Sequence, residues 1–309
     1  MSASAAPSGA AWTEIARAAQ DQGYSTLHVS DHYVDAASNG GQMLAAIPAM
    51  AAAAAVTETL RVGARVLCID YHHPVVLAKS MATLDLLSGG RLELGLGAGW
   101  VASEYEAMGL EMDAAPVRIE RLEETVAFVK EFFAGAPLEV NTAHVRAAGF
   151  TGEPAPVQQP SPPIIIGGGA RKVLTMAGRI ADIVSFNFDN RAGVVGAEGV
   201  QSSSAEAMDR KISWVRDGAG DRFGEIELEV GAYFTAVTDD PTAVATRMGD
   251  MFGLTAEAML DHPNALIGTV DQICETLVAR RERYGFSYVT VAQRNAEAFA
   301  PVVARLAGN

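Results

Sequence analysis

Two adjacent side chains suited to acid–base chemistry, Asp31 and His32, directly follow the stretch Ser25–Ser30, which reads as a short β-strand. They therefore lie at the carboxyl end of a strand, where α/β barrels and open α/β sheets carry their chemistry. An imidazole can take the proton of an alcohol's hydroxyl group near neutral pH while a hydride leaves the carbon that carries this hydroxyl. In the alternative reading, Asp31 caps the following segment and His32 is a polar residue at the rim.

A second candidate site is the glycine run Gly167-Gly168-Gly169, which separates the apolar strand Ile164–Ile166 from a predicted helix. Free backbone N–H groups and the helix dipole favour an anion at such a turn. Arg171 and Lys172 follow Ala170 in the first turn of the helix. Cations at this position destabilise the helix itself. Their presence is therefore better explained by binding of a ligand phosphate than by a structural role. The sequence has no GxGxxG pattern with a downstream acid, which argues against a nicotinamide-binding Rossmann domain.

The most regular unit of the chain is Arg61–Trp100, which reads as strand, helix and strand. Its first strand ends with Cys68 and Ile69, and its second strand ends in a glycine-rich turn that contains Gly97 and Gly99. Glycine lets the chain turn tightly beside a ligand, so this turn is predicted to border one. The alternative for Cys68 is an ordinary buried cysteine, because free cysteines are often buried. The neighbouring histidines, His72 and His73, are interpreted as packing residues.

Strands and helices alternate through most of the chain, which predicts a parallel sheet. Seven strands, each followed by a helix, can be counted after the N-terminus, and one N-terminal strand would complete a (β/α)8 TIM barrel. That first strand is predicted to be short or missing, because Ser2–Ala6 has poor strand propensity and is followed by proline. The sequence predicts a single α/β domain over 1–309, with insertions at about 138–160, 187–204 and 239–266.

Four stretches carry more specific expectations. Leu138–Phe150 reads as a hairpin, and Ile226–Val237 reads as one alternating strand. Asn187–Ser204 is rich in glycine and serine and has no periodicity, so it is predicted to be an irregular mobile loop over the site. Asp239–Leu266 reads as a partly helical insertion.

The composition excludes several classes of partner. The 309-residue chain carries a formal charge of −14, which argues against nucleic acid and offers no polybasic patch for a membrane. Its two cysteines, Cys68 and Cys274, favour a reducing compartment over a disulfide framework. The N-terminal residues Met1–Gly9 lack the features of a signal peptide. A cytoplasmic protein with a small-molecule substrate is therefore predicted.

Four motifs, in this order and at this spacing, resemble the luciferase-like monooxygenase superfamily. They are Ser30-Asp31-His32, Val66-Leu67-Cys68-Ile69 before His73-Pro74, Gly95–Glu104, and Gly167–Gly169. The chain looks most like the branch that uses the deazaflavin coenzyme F420, which includes alcohol and sugar-phosphate dehydrogenases and methylene-tetrahydromethanopterin reductase. The resemblance extends over nearly the whole chain from Gly9 onward. It implies a (β/α)8 barrel that forms a homodimer.

The resemblance also implies roles for individual residues. It assigns Cys68 and Ile69 to a strand bulge with a non-prolyl cis peptide, which backs the tricyclic ring of the cofactor. It assigns His32 the role of acid or base, while Asp31 holds the imidazole or bonds the ring. The remaining cofactor contacts that it implies are Gly97, Gly99, Ser103, Gly167, Gly168, Gly169, Ala170, Arg171 and Lys172.

The sequence departs from the family pattern beside the second strand. Trp100 stands where the glucose-6-phosphate enzymes of the branch carry a catalytic glutamate, and Ser103 stands where they carry an asparagine. Their substrate is therefore in doubt here, and Trp100 is expected to line a different substrate pocket. The run Gly99–Glu104 resembles both deazaflavin and FMN members, and Glu104 is predicted to organise the loop rather than to react.

The sequence thus favours an F420-dependent oxidoreductase that transfers a hydride between the deazaflavin ring and a small organic substrate, with His32 handling the proton. No metal site is predicted. One alternative is an FMN-dependent luciferase-like monooxygenase, which needs oxygen and a reductase partner. A second alternative, motivated by the weak first strand, is a cofactor-binding or inactive barrel.

Overall fold

The computed structural model describes residues 1–33, 42–191, 193 and 196–308. The chain divides into two compact units. The first unit comprises Ala3–Gln20 and Ser25–Ile166, and the second comprises Met1–Ser2, Asp21–Tyr24 and Gly167–Asn309. Both units are built from parallel strands and helices that alternate along the chain, as predicted.

The first unit holds most of the elements of the amino-terminal half. Its strands are β1 (Ala5–Ala6), β2 (Thr26–Val29), β3 (Gln42–Met43), β4 (Arg61–Ala64), β5 (Leu67–Cys68), β6 (Leu92–Gly97), β7 (Pro137–Asn141), β8 (Arg146–Thr151) and the start of β9 (Ile164–Gly168). Its helices are α1 (Gly9–Asp21), α2 (Ala46–Ala55), α3 (Pro74–Ser88), α4 (Ala102–Met108) and α5 (Ala115–Phe133), with a 3-10 turn at Ile69–Tyr71.

The sheet of the first unit is parallel, in the order β2-β4-β6-β9, and β5 also pairs with β6. All residues of β2 and β6 are buried, as expected for parallel strands that are covered on both faces. The predicted hairpin is confirmed, because β7 and β8 pair antiparallel. Helix α3 begins at Pro74 and ends at Ser88, and the following Gly89 has a φ of 69°, which closes the last turn.

A one-residue bulge separates β4 from β5. Gly63 pairs with Glu93, but Leu67 pairs with Leu96. The three residues 64–66 therefore stand opposite the two residues 94–95, and this is the definition of a bulge.

The prediction that the bulge and a non-prolyl cis peptide lie at Cys68–Ile69 is wrong. Cys68 pairs in register with Gly97, and a non-prolyl cis peptide joins Arg65 and Val66 instead. Glycines on the neighbouring strand explain the position, because a Cβ on Gly97 would lie only 2.6 Å from Cγ2 of Val66. The bulge thus occupies space that only glycine leaves open.

The second unit contains the remaining elements. Its helices are α6 (Arg171–Ile180), α7 (Ala197–Gln201), α8 (Ala205–Ala219), α9 (Pro241–Asp250), α10 (Ala256–Asp261), α11 (Val270–Tyr284) and α12 (Ala296–Leu306), with 3-10 turns at Gly220–Glu225 and Gln293–Asn295. Its strands are β10 (Ile183–Phe186), β11 (Glu227–Ala232), β12 (Phe234–Val237), β13 (Ala265–Gly268) and β14 (Phe286–Val291).

Parallel pairing in the second unit runs β10-β11-β14, and β12 pairs with β13 in a separate two-stranded sheet. The prediction of one strand over Ile226–Val237 is therefore wrong. At Tyr233 the backbone N–H bonds the carbonyl of Gly231 at 3.1 Å, and beyond this turn the chain changes its pairing partner. The predicted insertion Asp239–Leu266 is partly helical, because it contains α9 and α10.

Two further expectations concern the loop after β10 and the first strand. Asn187–Ser204 is not irregular throughout, because it contains α7; positions 192, 194 and 195 of this loop lie outside the described residues. The first strand is short, as predicted: β1 has two residues, and Ser2 forms only an isolated parallel bridge with Ala292. Among the described residues, no helix has the length and apolar character needed to cross a bilayer.

Candidate active site

The carboxylate of Glu104 holds the imidazole of His32, 72 residues away along the chain. Nδ1 of His32 lies 3.1 Å from Oε1 and 3.2 Å from Oε2 of Glu104. An ionised carboxylate only accepts hydrogen bonds, so Nδ1 donates, and Nε2 of the neutral ring is left as an acceptor. The side chain of His32 is 35% exposed and that of Glu104 only 1%. In this pair, the buried Glu104 fixes the position of the His32 ring, and Nε2 of His32 is the proton acceptor.

Two further donors fix the carboxylate of Glu104. The backbone N–H of Tyr33 donates to Oε1 at 2.8 Å, and the hydroxyl of Tyr71 donates to Oε2 at 3.1 Å. Burial raises the pKa of Tyr71 above its usual range, so the hydroxyl remains a donor. Glu104 thus links Tyr33 to Tyr71, and it also orients His32, which the sequence did not reveal; its role in organising the loop Gly99–Glu104 stays a prediction.

Asp31 has a different role from the one predicted with respect to His32. Its Oδ2 accepts the backbone N–H of Cys68 at 3.1 Å and lies 2.8 Å from Nε2 of His72. The orienting partner of His32 is therefore Glu104 and not Asp31. His72, which was interpreted from sequence as a packing residue, instead makes a polar contact with Asp31. The two residues are 41 positions apart in the chain, so the sequence alone did not indicate this contact. Oδ1 of Asp31 has no hydrogen-bond partner within the described part of the chain.

Cys68 is buried, and its Sγ lies 3.5 Å from the hydroxyl of Tyr105. Burial raises the pKa of the Cys68 thiol to about 11. The reactive thiolate is therefore scarce near neutral pH, which disfavours Cys68 as a nucleophile. Ile69, which begins the following 3-10 turn, is also buried. The local structure favours a packing role for both side chains, while the backbone of Cys68 ties β5 to Asp31.

The glycine-rich turn after β6 is tightly enclosed. Gly99 has a φ of 72°, and a Cβ on it would lie 2.0 Å from the hydroxyl oxygen of Tyr105 and 2.8 Å from Sγ of Cys68. Nε of the buried Arg118 donates to the carbonyl of Ala98 at 3.0 Å. These contacts hold the turn in a conformation that only glycine adopts without strain.

Two residues next to this turn face different surroundings. The Trp100 ring stands edge-to-face against the His32 ring, with 6.1 Å between centroids. This contact places Trp100 beside His32, and a role for Trp100 in lining the substrate pocket stays a prediction. Ser103 is exposed in the first turn of α4, and the structure gives it no described polar contact.

In the second unit, Gly167 and Gly168 are the last residues of β9, and Gly169 and Ala170 lead from the strand to α6; Gly167–Gly169 is called the glycine turn below. A Cβ on Gly169 would lie 2.0 Å from the carbonyl oxygen of Phe188, so the turn is in backbone contact with the end of β10. Helix α6 begins after Ala170 without a side-chain cap, and Arg171 and Lys172 are exposed in its first turn. Uncapped N–H groups beside two cations are the elements of an anion site.

Comparison with known proteins identifies the family. The sequence profile described as "Luciferase-like monooxygenase" matches residues 1–288. The chain belongs to the luciferase-like monooxygenase family. Over the whole chain, the fold is similar to that of the coenzyme F420-dependent tetrahydromethanopterin reductase from Methanopyrus kandleri, with a TM-score of 0.77 at 18% identity, covering 99% of this chain and 98% of that one. The predicted fold class, a (β/α)8 barrel with insertions, is confirmed.

Relatives in sequence include enzymes of two cofactor types. An F420-dependent glucose-6-phosphate dehydrogenase from Microbacterium testaceum is 33% identical over 165 residues, which are 53% of this chain and 48% of the relative. An FMNH(2)-dependent dimethylsulfone monooxygenase from Pseudomonas putida is 31% identical over 140 residues, 45% of this chain and 38% of that protein. The matched part thus spans less than half the length of each of these two relatives.

Proposed function

We propose that this protein is an oxidoreductase that uses coenzyme F420 and transfers a hydride between the deazaflavin ring and a small organic substrate with a hydroxyl or carbonyl group. The observation that carries the proposal is the hydrogen bond of 3.1 Å between His32 and Glu104 beside the carboxyl ends of parallel strands. Family membership and the F420-dependent relatives support the choice of cofactor.

The residues present fit a deazaflavin ring. Such a ring offers N–H donors and carbonyl acceptors along one edge. Oδ1 of Asp31 is an acceptor without a described partner, and Oδ2 is already anchored by Cys68 and His72. The bulge at 64–66 and the turn through Gly97 would lie against the flat face of the ring.

The bound coenzyme would supply the carbon that accepts or gives the hydride. When an alcohol is oxidised, its C–H bond breaks with loss of a hydride, and its O–H proton goes to Nε2 of His32. The Glu104 carboxylate keeps the imidazole in the correct tautomer and stabilises the imidazolium that forms. Trp100 shields one side of the imidazole and narrows the substrate pocket. In the reverse direction, His32 returns the proton to the carbonyl oxygen.

An FMN-dependent monooxygenase is a second candidate, because the relative from Pseudomonas putida uses reduced FMN. To separate the two, the purified protein is mixed with F420 or with FMN and passed through gel filtration. We expect ring absorbance of F420 to elute with the protein and FMN to be lost. Retention of FMN alone would overturn the choice of F420, and retention of neither would support the inactive barrel.

The glycine turn of the second unit is proposed to bind the phosphate of the cofactor. Replacement of Arg171 and Lys172 by alanine should weaken cofactor binding without lowering the melting temperature. Arg179→Ala is the matched control, since it removes a cation from the last turn of the same helix. Unchanged affinity with a lower melting temperature would make the two cations structural.

We also propose a homodimer in the cytoplasm. Val76 and Leu87 of α3 are 63% and 77% exposed, and at eleven residues' separation they share one helix face. Exposed apolar side chains of this size suit contact with a second copy of the chain. Sedimentation should give a dimer, and replacing both by serine should give a monomer, with Val278→Ser as the control. Unpaired Cys68 and Cys274 support a reducing compartment.

A further inference from the structure

Asn187 stands where β10 ends, in backbone contact with the glycine turn of the second unit. Its N–H donates to the carbonyl of Gly168 at 2.8 Å, and its carbonyl accepts Nζ of Lys211 at 2.6 Å. The backbone of Asn187 is therefore fully bonded, and the direction of its side chain depends on the side-chain contacts alone.

Two donors fix the orientation of the Asn187 amide. Oδ1 accepts the backbone N–H of Phe188 at 2.8 Å and the hydroxyl of Tyr233 at 3.1 Å. A backbone N–H can only donate, so the atom facing it must be the amide oxygen and not the nitrogen. Nδ2 therefore points away from both. Within the described residues, no group accepts a hydrogen bond from Nδ2, and the side chain is partly exposed.

The surroundings hold this amide firmly. Lys211 is 2% exposed, and its Nζ also donates to Oγ of Ser203 at 2.6 Å. A buried amine without hydrogen bonds would be costly, so both acceptors are needed and Asn187 cannot easily shift. Tyr233 is fixed in turn, because its ring packs against Phe188 with 5.1 Å between centroids.

We propose that Asn187 is a ligand-binding residue, whose Nδ2 donates a hydrogen bond to a carbonyl or phosphoryl oxygen of the molecule bound at Gly167–Gly169. The proposal rests on the proposed function, since that function assigns the turn to ligand binding. A pair of N–H donors in fixed orientation favours an acceptor oxygen and disfavours a cationic group. Such an oxygen belongs either to the cofactor or to the substrate.

The test is Asn187→Asp, which keeps an oxygen for Phe188 and Tyr233 but replaces the outward donor with an acceptor. Binding is measured with F420, and separately with inorganic phosphate, which offers the same phosphoryl oxygens, on the cofactor-loaded protein. We expect at least a tenfold loss of affinity for one of the two probes, and the probe affected identifies the source of the oxygen. Asn190→Asp, three residues away, controls for the added charge, and its affinities should change less than threefold.

A second variant guards against misfolding of the first. Tyr233→Phe removes only the hydroxyl that orients the amide, and it should weaken the same probe about threefold. Affinities within twofold of the wild type for both probes in Asn187→Asp would overturn the proposal.

Failure of the proposed function can be distinguished from failure of the proposed role of Asn187. If the wild type binds FMN and not F420, the choice of cofactor is wrong, and Asn187→Asp is then measured with FMN. If the wild type binds neither cofactor, both the proposed function and the role of Asn187 are overturned.

Discussion

His32 donates a hydrogen bond of 3.1 Å from Nδ1 to Oε1 of Glu104, and this contact leaves Nε2 as the nitrogen of the imidazole that can accept a proton. The Glu104 side chain is buried, whereas the His32 side chain is 35% exposed. A proton acceptor held in this way can act repeatedly without losing its orientation. The first two predictions test the two halves of the pair.

His32→Asn should lower turnover at least about a hundredfold, because loss of a positioned acid or base typically costs 10²–10⁴-fold in rate. The affinity for the cofactor should stay within a few fold, since Asp31 and the bulge are untouched. Steady-state kinetics and cofactor fluorescence measure the two quantities. Turnover within threefold of the native value would remove His32 from the mechanism.

Glu104→Gln should lower kcat about tenfold or more while the protein stays folded. The amide oxygen can still accept from the N–H of Tyr33, and the amide N–H can donate to the hydroxyl of Tyr71, but the imidazolium loses its counter-charge. Glu106→Gln, an exposed position on the same helix, is the control and should be neutral. Equal kcat in both variants would mean that Glu104 only organises the loop.

Gly99→Ala should destabilise the protein more than Gly109→Ala, although both glycines have positive φ, 72° and 69°. The methyl group at 109 meets nothing within 4 Å, so only backbone strain of about 1–2 kcal/mol is expected. At 99 it would lie 2.0 Å from the hydroxyl of Tyr105, which adds roughly 1–3 kcal/mol of overpacking. Urea unfolding of the two variants measures the difference, and equal midpoints would contradict it.

Cys68 should resist alkylation by iodoacetamide in the native protein at pH 8, since burial raises the pKa of its thiol to about 11. Cys274, which is partly exposed, should react under the same conditions. Peptide mass spectrometry distinguishes the two sites, and in denaturant both should be labelled. Rapid native labelling of Cys68 would show that β5 opens readily.

Lys211 should make the stability of the protein depend on pH. Burial lowers the pKa of Lys211 from 10.5 to about 7, with Asp189 opposing and Arg210 adding to the effect. Between these values the unfolded chain binds more protons than the folded one, so the free energy of unfolding rises with pH. The rise should be about 2 kcal/mol between pH 7 and 9.

The control variants for this pH dependence are Lys211→Met and Lys79→Met. The first should lose the rise, and the second, which alters an exposed lysine on α3, should keep it. Urea unfolding at several pH values measures the slopes. The same slope in Lys211→Met as in the native protein would mean that another group titrates in this range.

Local pattern was sufficient to predict much of the fold. The alternation of strands and helices and the hairpin formed by β7 and β8 were predicted correctly, because propensity, turn residues and apolar periodicity act within one element or between neighbouring ones. The strand Ile226–Val237 was predicted as one element since its alternation continues past Tyr233. The exchange of pairing partner at that residue depends on β13, which is distant in sequence, and no local signal records it.

The candidate site was predicted in part for the same reason. His32 and the glycine turns stand out by residue type and position. Glu104 and His72 were not recognised as partners of His32 and Asp31, because each pairing joins residues that are far apart in the chain. The bulge was misplaced by three residues since its position follows from the register of β4 and β5 against β6, which single-strand periodicity cannot supply.

The bulge at 64–66 also determines which face of the sheet each later side chain of its strand points to. Side chains alternate between two faces, so one added residue reverses the face of everything beyond it. Without the extra residue, Leu67 and not Cys68 would stand opposite Gly97, and a different backbone N–H would point toward Asp31. In this segment, chain length rather than residue identity decides which atoms meet the carboxylate.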